Sequence, residues 1–210
     1  MYNPEIKNFV KSAFEEIKKA RSVNCLQKIL DDFEFQKNKI SVETYPKIRF
    51  KISAQEIQQL VAANILDQNY QFNSEVSFEE SHVVTKLLYA LAWKNGDLKK
   101  INHIIKGILS TEDEELQVTE SLVFHQFGRH LTKKSNEPII DQHVIRAFCV
   151  YKNYEKIKII EKGHIKYINE YKNWLVSEEI SPELKSENDY VYFIDQILFA
   201  VGKTVKSMNK

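Results

Sequence analysis

Apolar positions recur every three or four residues along most of this chain, and near-alternation of apolar and polar residues occupies one short stretch. The helical period predicts a first helix opening at Asn3-Pro4, a cap followed by proline in the first turn, with Ile6, Phe9, Val10, Phe14 and Ile17 on one face. A second, shorter helix from about Val23 carries Leu26, Leu30 and Phe33. Between Ile40 and Ile52 the pattern loosens to near-alternation with Pro46 inside, which predicts an extended connector more than a paired strand. Ser53–Glu56 and Ser77–Glu80 both have the form of a capping box ahead of an apolar helical stripe, with loop from Asp67 to Val76 between them.

The stripe Val84, Leu87, Leu88, Leu91 stops at Asn95-Gly96, and Asp97 caps a further helix ending near Gly107. After an acidic loop come a helix with Leu122, Val123, Phe127 and Leu131, a polar turn at 133–137, and a helix opened by Asp141. The pattern then predicts one longer helix over about Tyr154–Trp174, a short turn of helix at Ser181-Pro182, and a final apolar helix from Tyr190 to Val205. The expected fold class is therefore all-α. Its expected organisation is an N-terminal helical extension and connector over 1–52 and a multi-helix domain over 53–210, the two forming one compact unit overall.

Composition narrows the chemistry. The 210 residues include only five glycines and four prolines, which suits helices joined by short connections and leaves little for glycine-lined phosphate loops. Thirty basic side chains against 29 acidic ones remove any strong global field toward nucleic acid or an anionic membrane, so such contacts must come from a local patch. Cys25 and Cys149 are far apart, without metal-ligand spacing, and fit a reducing cytoplasm. No stretch approaches the roughly twenty apolar residues of a membrane span, and no signal peptide is recognisable, so the expectation is a cytoplasmic protein without membrane contact.

Several features bear on function. His125, His130 and His143 lie near one another in sequence, but the first two are five apart and point to different helix faces, which disfavours a metal site. No cofactor is indicated. His125 and Arg129 share a face and read as a polar surface stripe, while the lysines and aromatics of 151–174 read as a solvated face opposite an aromatic core face, with nucleic-acid binding as the rival. Asp195 interrupts the most apolar helix and needs a partner if buried, with Arg146 or a tyrosine hydroxyl as candidates. Pro138 to Phe148 is the most informative stretch. Proline forbids helix continuation, helical spacing resumes at Val144, and Asp141 stands where an N-cap belongs, as a capping carboxylate or a catalytic one.

Ile139-Ile140-Asp141-Gln142-His143-Val144-Ile145-Arg146 resembles the catalytic string of the helix-hairpin-helix DNA glycosylases of the endonuclease III type. Ile194–Lys203 is similar to that family's closing helix, and Ile65-Leu66-Asp67-Gln68 to a helix end whose glutamine probes the gap left by a flipped base. The resemblance spans about residues 53–206. It implies a glycosylase-like fold and Asp141 as the catalytic carboxylate. It further implies nucleic-acid contacts through Gln68, His143, Arg146 and Lys203, and double-stranded DNA as the partner. The hairpin departs from the family: Thr111–Thr119 has no glycine and four acids, and Val118 stands where bifunctional members carry lysine. The iron–sulfur cysteines are also absent. The activity implied is that of a monofunctional N-glycosylase in DNA repair. The alternative is a non-catalytic helical interaction module, with a protein partner, in which Asp141 only caps its helix.

Overall fold

The computed structural model describes residues 2–32, 38–41, 43–73, 76, 78, 81–110, 121–133, 137–154 and 156–209. Among these residues the fold is all-α. The helices in chain order are α1 (Pro4–Lys19), α2 (Val23–Asp32), α3 (Ala54–Ala62), α4 (Val83–Lys94), α5 (Leu98–Leu109), α6 (Leu122–Leu131), α7 (Gln142–Tyr151), α8 (Ile165–Val176), α9 (Pro182–Ser186) and α10 (Tyr190–Met208). The only strand-like pairing among the described residues is one isolated bridge between Leu66 and Phe72. No described helix is long and apolar enough to cross a membrane.

The chain divides into two units, one built from residues 1–49 with 135–210 and the other from 50–134. Sequence reading put a single boundary near residue 52 and everything after it in one body. The contacts place a crossing at 49/50 and a second at 134/135, so α1 and α2 are not a separate extension but pack in one unit with α7–α10.

In the first unit, Asn3 caps α1 through a 2.8 Å bond from Ile6 N to its side chain, and Ile6, Val10, Ala13, Phe14 and Ile17 are buried along one face. Phe14 stacks on Tyr151 of α7 at 4.0 Å between centroids and meets Trp174 of α8 at 5.0 Å, while Phe148 packs edge-on to Tyr171 at 5.4 Å. This aromatic cluster joins α1, α7 and α8. The lysine and aromatic stretch resolves accordingly, since Tyr167, Tyr171 and Trp174 are buried while Lys156, Lys158, Lys162 and Lys166 are exposed. The predicted long helix is shorter, however. After Asn153 turns left-handed at φ 60°, the described backbone stays non-helical until a 3-10 turn at Lys162–His164 leads into α8.

In the second unit, α3 opens with the predicted capping box, Ser53 Oγ accepting from Glu56 N and Glu56 Oε2 accepting from Ser53 N. Ile57, Leu66, Ile105 and Ile108 form its buried core. α5 and α6 approach closely because Gly107 faces Gly128: a Cβ at Gly107 would lie 2.0 Å from the His125 carbonyl oxygen. His125 and Arg129, expected on a polar surface, are buried by this crossing. Ser77, Glu79 and Glu80 of the second predicted capping box lie outside the described residues; α4 instead starts after His82, whose Nδ1 accepts from Val84 N. Thr111–Thr119, where the resemblance puts the hairpin, also lies outside them.

Candidate functional site

The segment leading to Asp141 is held from three sides within the first unit. Glu137 sits with its Oε2 3.0 Å from Lys172 Nζ of α8, both side chains largely shielded from water. Ile139 N–H donates to Asp195 Oδ2 of α10 at 2.8 Å, and Ile140 is buried. Pro138 removes both a donor and backbone freedom from the same stretch. Asp141 itself has extended backbone, and its Oδ1 accepts from His143 N at 2.6 Å while its carbonyl accepts from Ile145 N at 3.1 Å. It is an N-cap, as expected. Its carboxylate is half-buried, and the bond from His143 N is the one hydrogen bond it accepts among the described residues.

Asp195 explains why this lead-in is rigid. It is buried in an otherwise apolar helix, with Tyr171 Oη donating to Oδ1 at 2.6 Å and Ile139 N to Oδ2 at 2.8 Å. Of the two partners expected, the tyrosine is the one found and Arg146 is not. Burial pushes the Asp195 carboxyl up to about 7 against the opposing pull of these two hydrogen bonds, and burial with the adjacent carboxylate pushes the Tyr171 phenol well above its usual value.

His143 and Arg146 turn inward as a pair. Arg146 Nη1 lies 2.6 Å from His143 Nδ1, and because a guanidinium only donates, Nδ1 accepts and the imidazole proton sits on Nε2. Burial, with the neighbouring Arg146 and Lys206 charges, lowers the His143 pKa despite the opposing Asp141 carboxylate. The imidazole also meets the Phe199 ring edge-on at 5.1 Å. Arg146 donates through Nε to the Ile157 carbonyl at 3.1 Å and through Nη2 to the Lys158 carbonyl at 3.2 Å, with the Gly202 carbonyl 3.4 Å from Nη1. The Arg146 donors are thus directed to His143 and to backbone inside its own unit. The Ile157 and Lys158 carbonyls, in a described stretch that is not helical, are thereby turned to the guanidinium instead of to a helical ladder.

Lys203 remains half-buried with Nζ 5.8 Å above the Phe199 ring, next to His143. Gln68 belongs to the other unit. It is exposed in a turn where Asp67 Oδ1 accepts from Asn69 N and Gln71 N, between the bridged residues Leu66 and Phe72, and not at the helix end that the resemblance implied. The histidines likewise separate, His125 and His130 on α6 and His143 on α7.

Two contributors escape a reading by motif. Gly202 lets α10 lie on the start of α7, since a Cβ there would fall 1.9 Å from the His143 carbonyl oxygen. A glycine inside an apolar helix costs about 1 kcal/mol against alanine, and that cost is the sequence signal that a close backbone approach is being served. Lys206, one turn further, contributes the positive potential that acts on His143.

Compared with family models, curated proteins and solved structures, the chain matches none.

Proposed function

We propose that the protein is a divergent, monofunctional DNA-glycosylase-like enzyme that excises a flipped base, with Asp141 as its catalytic carboxylate. The observation that carries this reading is the placement of Asp141: a half-buried carboxylate at a helix N-terminus, on a lead-in pinned by Asp195 and Lys172, with one oxygen committed to capping. An anion so fixed opposes the positive charge that develops on the sugar as the C1′–N bond breaks. The base departs with that electron pair and is protonated. Water then adds to C1′ and gives up a proton. No lysine is required for this course, which accords with Val118 at the position of the Schiff-base lysine.

The test compares wild type with Asp141→Asn on duplexes carrying damaged or mismatched bases. Asparagine caps a helix about as well as aspartate, so the variant should keep its stability and lose base release by at least about 100-fold. Absence of base release from both proteins across such a panel would sink the enzymatic reading. The second reading, a non-catalytic interaction module, is favoured by one observation, the inward commitment of His143 and Arg146. It requires that Asp141→Asn change neither stability nor function, and a salt-dependent micromolar affinity for duplex DNA would count against it.

A further inference from the structure

Two buried carboxyl groups hold the lead-in to Asp141, and they differ in what stands beside them. Glu137 has Lys172 Nζ at 3.0 Å, whereas Asp195 is met by two neutral donors, Tyr171 Oη at 2.6 Å and Ile139 N at 2.8 Å. A carboxylate shut away from water without a counter-charge is costly, so it holds its proton to higher pH than usual. Burial accordingly raises the Asp195 carboxyl to about 7. Charges on the surrounding elements are engaged elsewhere or act at one remove. On α8, Lys172 is paired with Glu137, and on α10 Tyr190 acts on the Tyr171 phenol. α7 brings His143 and Arg146 against Gly202, seven residues along α10, where they bond each other. α1 and α2 also pack on α10, and they bury apolar side chains, Val10, Phe14, Leu26 and Leu30 among them.

We propose that Asp195 is a pH-responsive latch on Asp141: the charge it carries sets how firmly the segment bearing the capping carboxylate is held. Ile139 lies two residues before Asp141, and its N–H is the backbone donor that reaches α10. With Asp195 ionised this bond is charge-assisted, roughly twice as strong as one between neutral groups. With Asp195 protonated, Oδ2 accepts only as a neutral oxygen, and the half-buried Ile139 has water to turn to. Proton uptake loosens the lead-in, and proton loss as pH rises through about 7 tightens it. The effect on the whole unit has the opposite sign, because forming a carboxylate in apolar surroundings lowers its stability. Local hold and global stability therefore diverge with pH, which a hydrogen bond of purely structural role would not produce. Regulation of base excision by this latch rests on the reading of Asp141 as the catalytic carboxylate; the latch itself does not.

Amide exchange of the full chain, followed by NMR from about pH 5.5 to 8.5 and corrected for the rate of an unstructured peptide, reads the latch without activity. Protection at Ile139 should rise about tenfold with pH, with a midpoint of about 7, while protection of core amides such as Ile197 and Leu198 falls. Asp195→Asn should flatten the Ile139 profile. Tyr171→Phe should move its midpoint to higher pH, because the phenol's bond favours the ionised carboxyl, and it supplies the reading if the first variant does not fold. His143 titrates below 6.5, and its transition is recognised by persisting in both variants. A wild-type profile at Ile139 that is flat, or that falls with the core amides, overturns the proposal. So does an unchanged rise in Asp195→Asn or an unmoved midpoint in Tyr171→Phe. If the wild type releases bases, its rate should carry the same midpoint and lose it in Asp195→Asn; release without that midpoint overturns the link to Asp141. Absence of release counts against Asp141 as a catalyst and leaves the exchange profiles to decide the latch.

Discussion

Replacing Asp195 by asparagine tests the tightest piece of the structure. The wild-type carboxyl titrates at about 7 in the folded chain, against the ordinary value near 3.8 when it is solvated. The folded state therefore binds one more proton than the unfolded state between those values. Stability is fully present below pH 4, falls as pH rises through the window, and levels off above 7. A gap of about three pH units at about 1.4 kcal/mol each amounts to about 4 kcal/mol lost between pH 4 and pH 8. Asparagine keeps the shape and cannot ionise: its oxygen can accept from Ile139 N and its amide can donate to Tyr171 Oη. Urea denaturation of wild type and Asp195→Asn at half-unit steps from pH 4 to pH 8 is the assay. The two should be similar near pH 4 and diverge with pH, the variant becoming the more stable by up to about 4 kcal/mol at pH 8. His143 acts in the opposite sense, since its lowered pKa withdraws stability as pH falls below 6.5, but it contributes equally to both proteins and cancels in the difference. Parallel pH profiles would refute the reasoning, because they would mean that Asp195 is ionised throughout or not buried in solution.

Three other outcomes are expected. Asp141→Ala should lower stability by about 1 kcal/mol and Asp141→Asn by less than about 0.5 kcal/mol in chemical denaturation, because the alanine cannot accept from His143 N. Gly202→Ala should cost more than about 2 kcal/mol and lower the melting temperature, since its Cβ would meet backbone of α7 and not a movable side-chain tip. Arg146→Lys should cost about 2–3 kcal/mol and raise amide exchange across 156–161, since an ammonium cannot bridge His143 and the carbonyls of Ile157 and Lys158 together; unchanged exchange there would argue against the clamp.

The helix pattern was legible wherever the signals were local. Asn3 with Pro4, Ser53 with Glu56, Asp141 with its own helix and Ser181 with Pro182 are each settled within four residues, and each cap stands where the sequence placed it. What escaped depends on partners distant in sequence. The pattern predicts helix through 154–161, but the described residues 156–161 are not helical and Arg146 takes the carbonyls of Ile157 and Lys158. Arg146 enters as a candidate partner for Asp195 and, through the resemblance, as a nucleic-acid contact, and only the fold shows its donors turned to His143, Ile157 and Lys158. Asp195 signals a need for a partner, and it is Tyr171 Oη on α8 that reaches its Oδ1, while the Arg146 donors are taken by His143 and backbone carbonyls. His125 and Arg129 are buried because Gly107 and Gly128 draw two helices together, a contact that the sequence of α6 alone does not specify.

The interrupted layout of the first unit sets an order for folding. Residues 50–134 are contiguous, so that unit needs no segment made after Lys134 to complete its own contacts. The first unit differs: α1 and α2 must wait for α7 and for α10, and Asp195 must arrive before the lead-in to Asp141 can lock. Until then the apolar face of α1, with Ile6, Val10, Phe14 and Ile17, has no cover from its later partners. Closing so long a loop is entropically costly and slow. Once residue 134 is made the nascent chain carries one unit with all its parts and one still open, and loss of α10 would uncover α1 and the lead-in to Asp141, both remote from it in sequence.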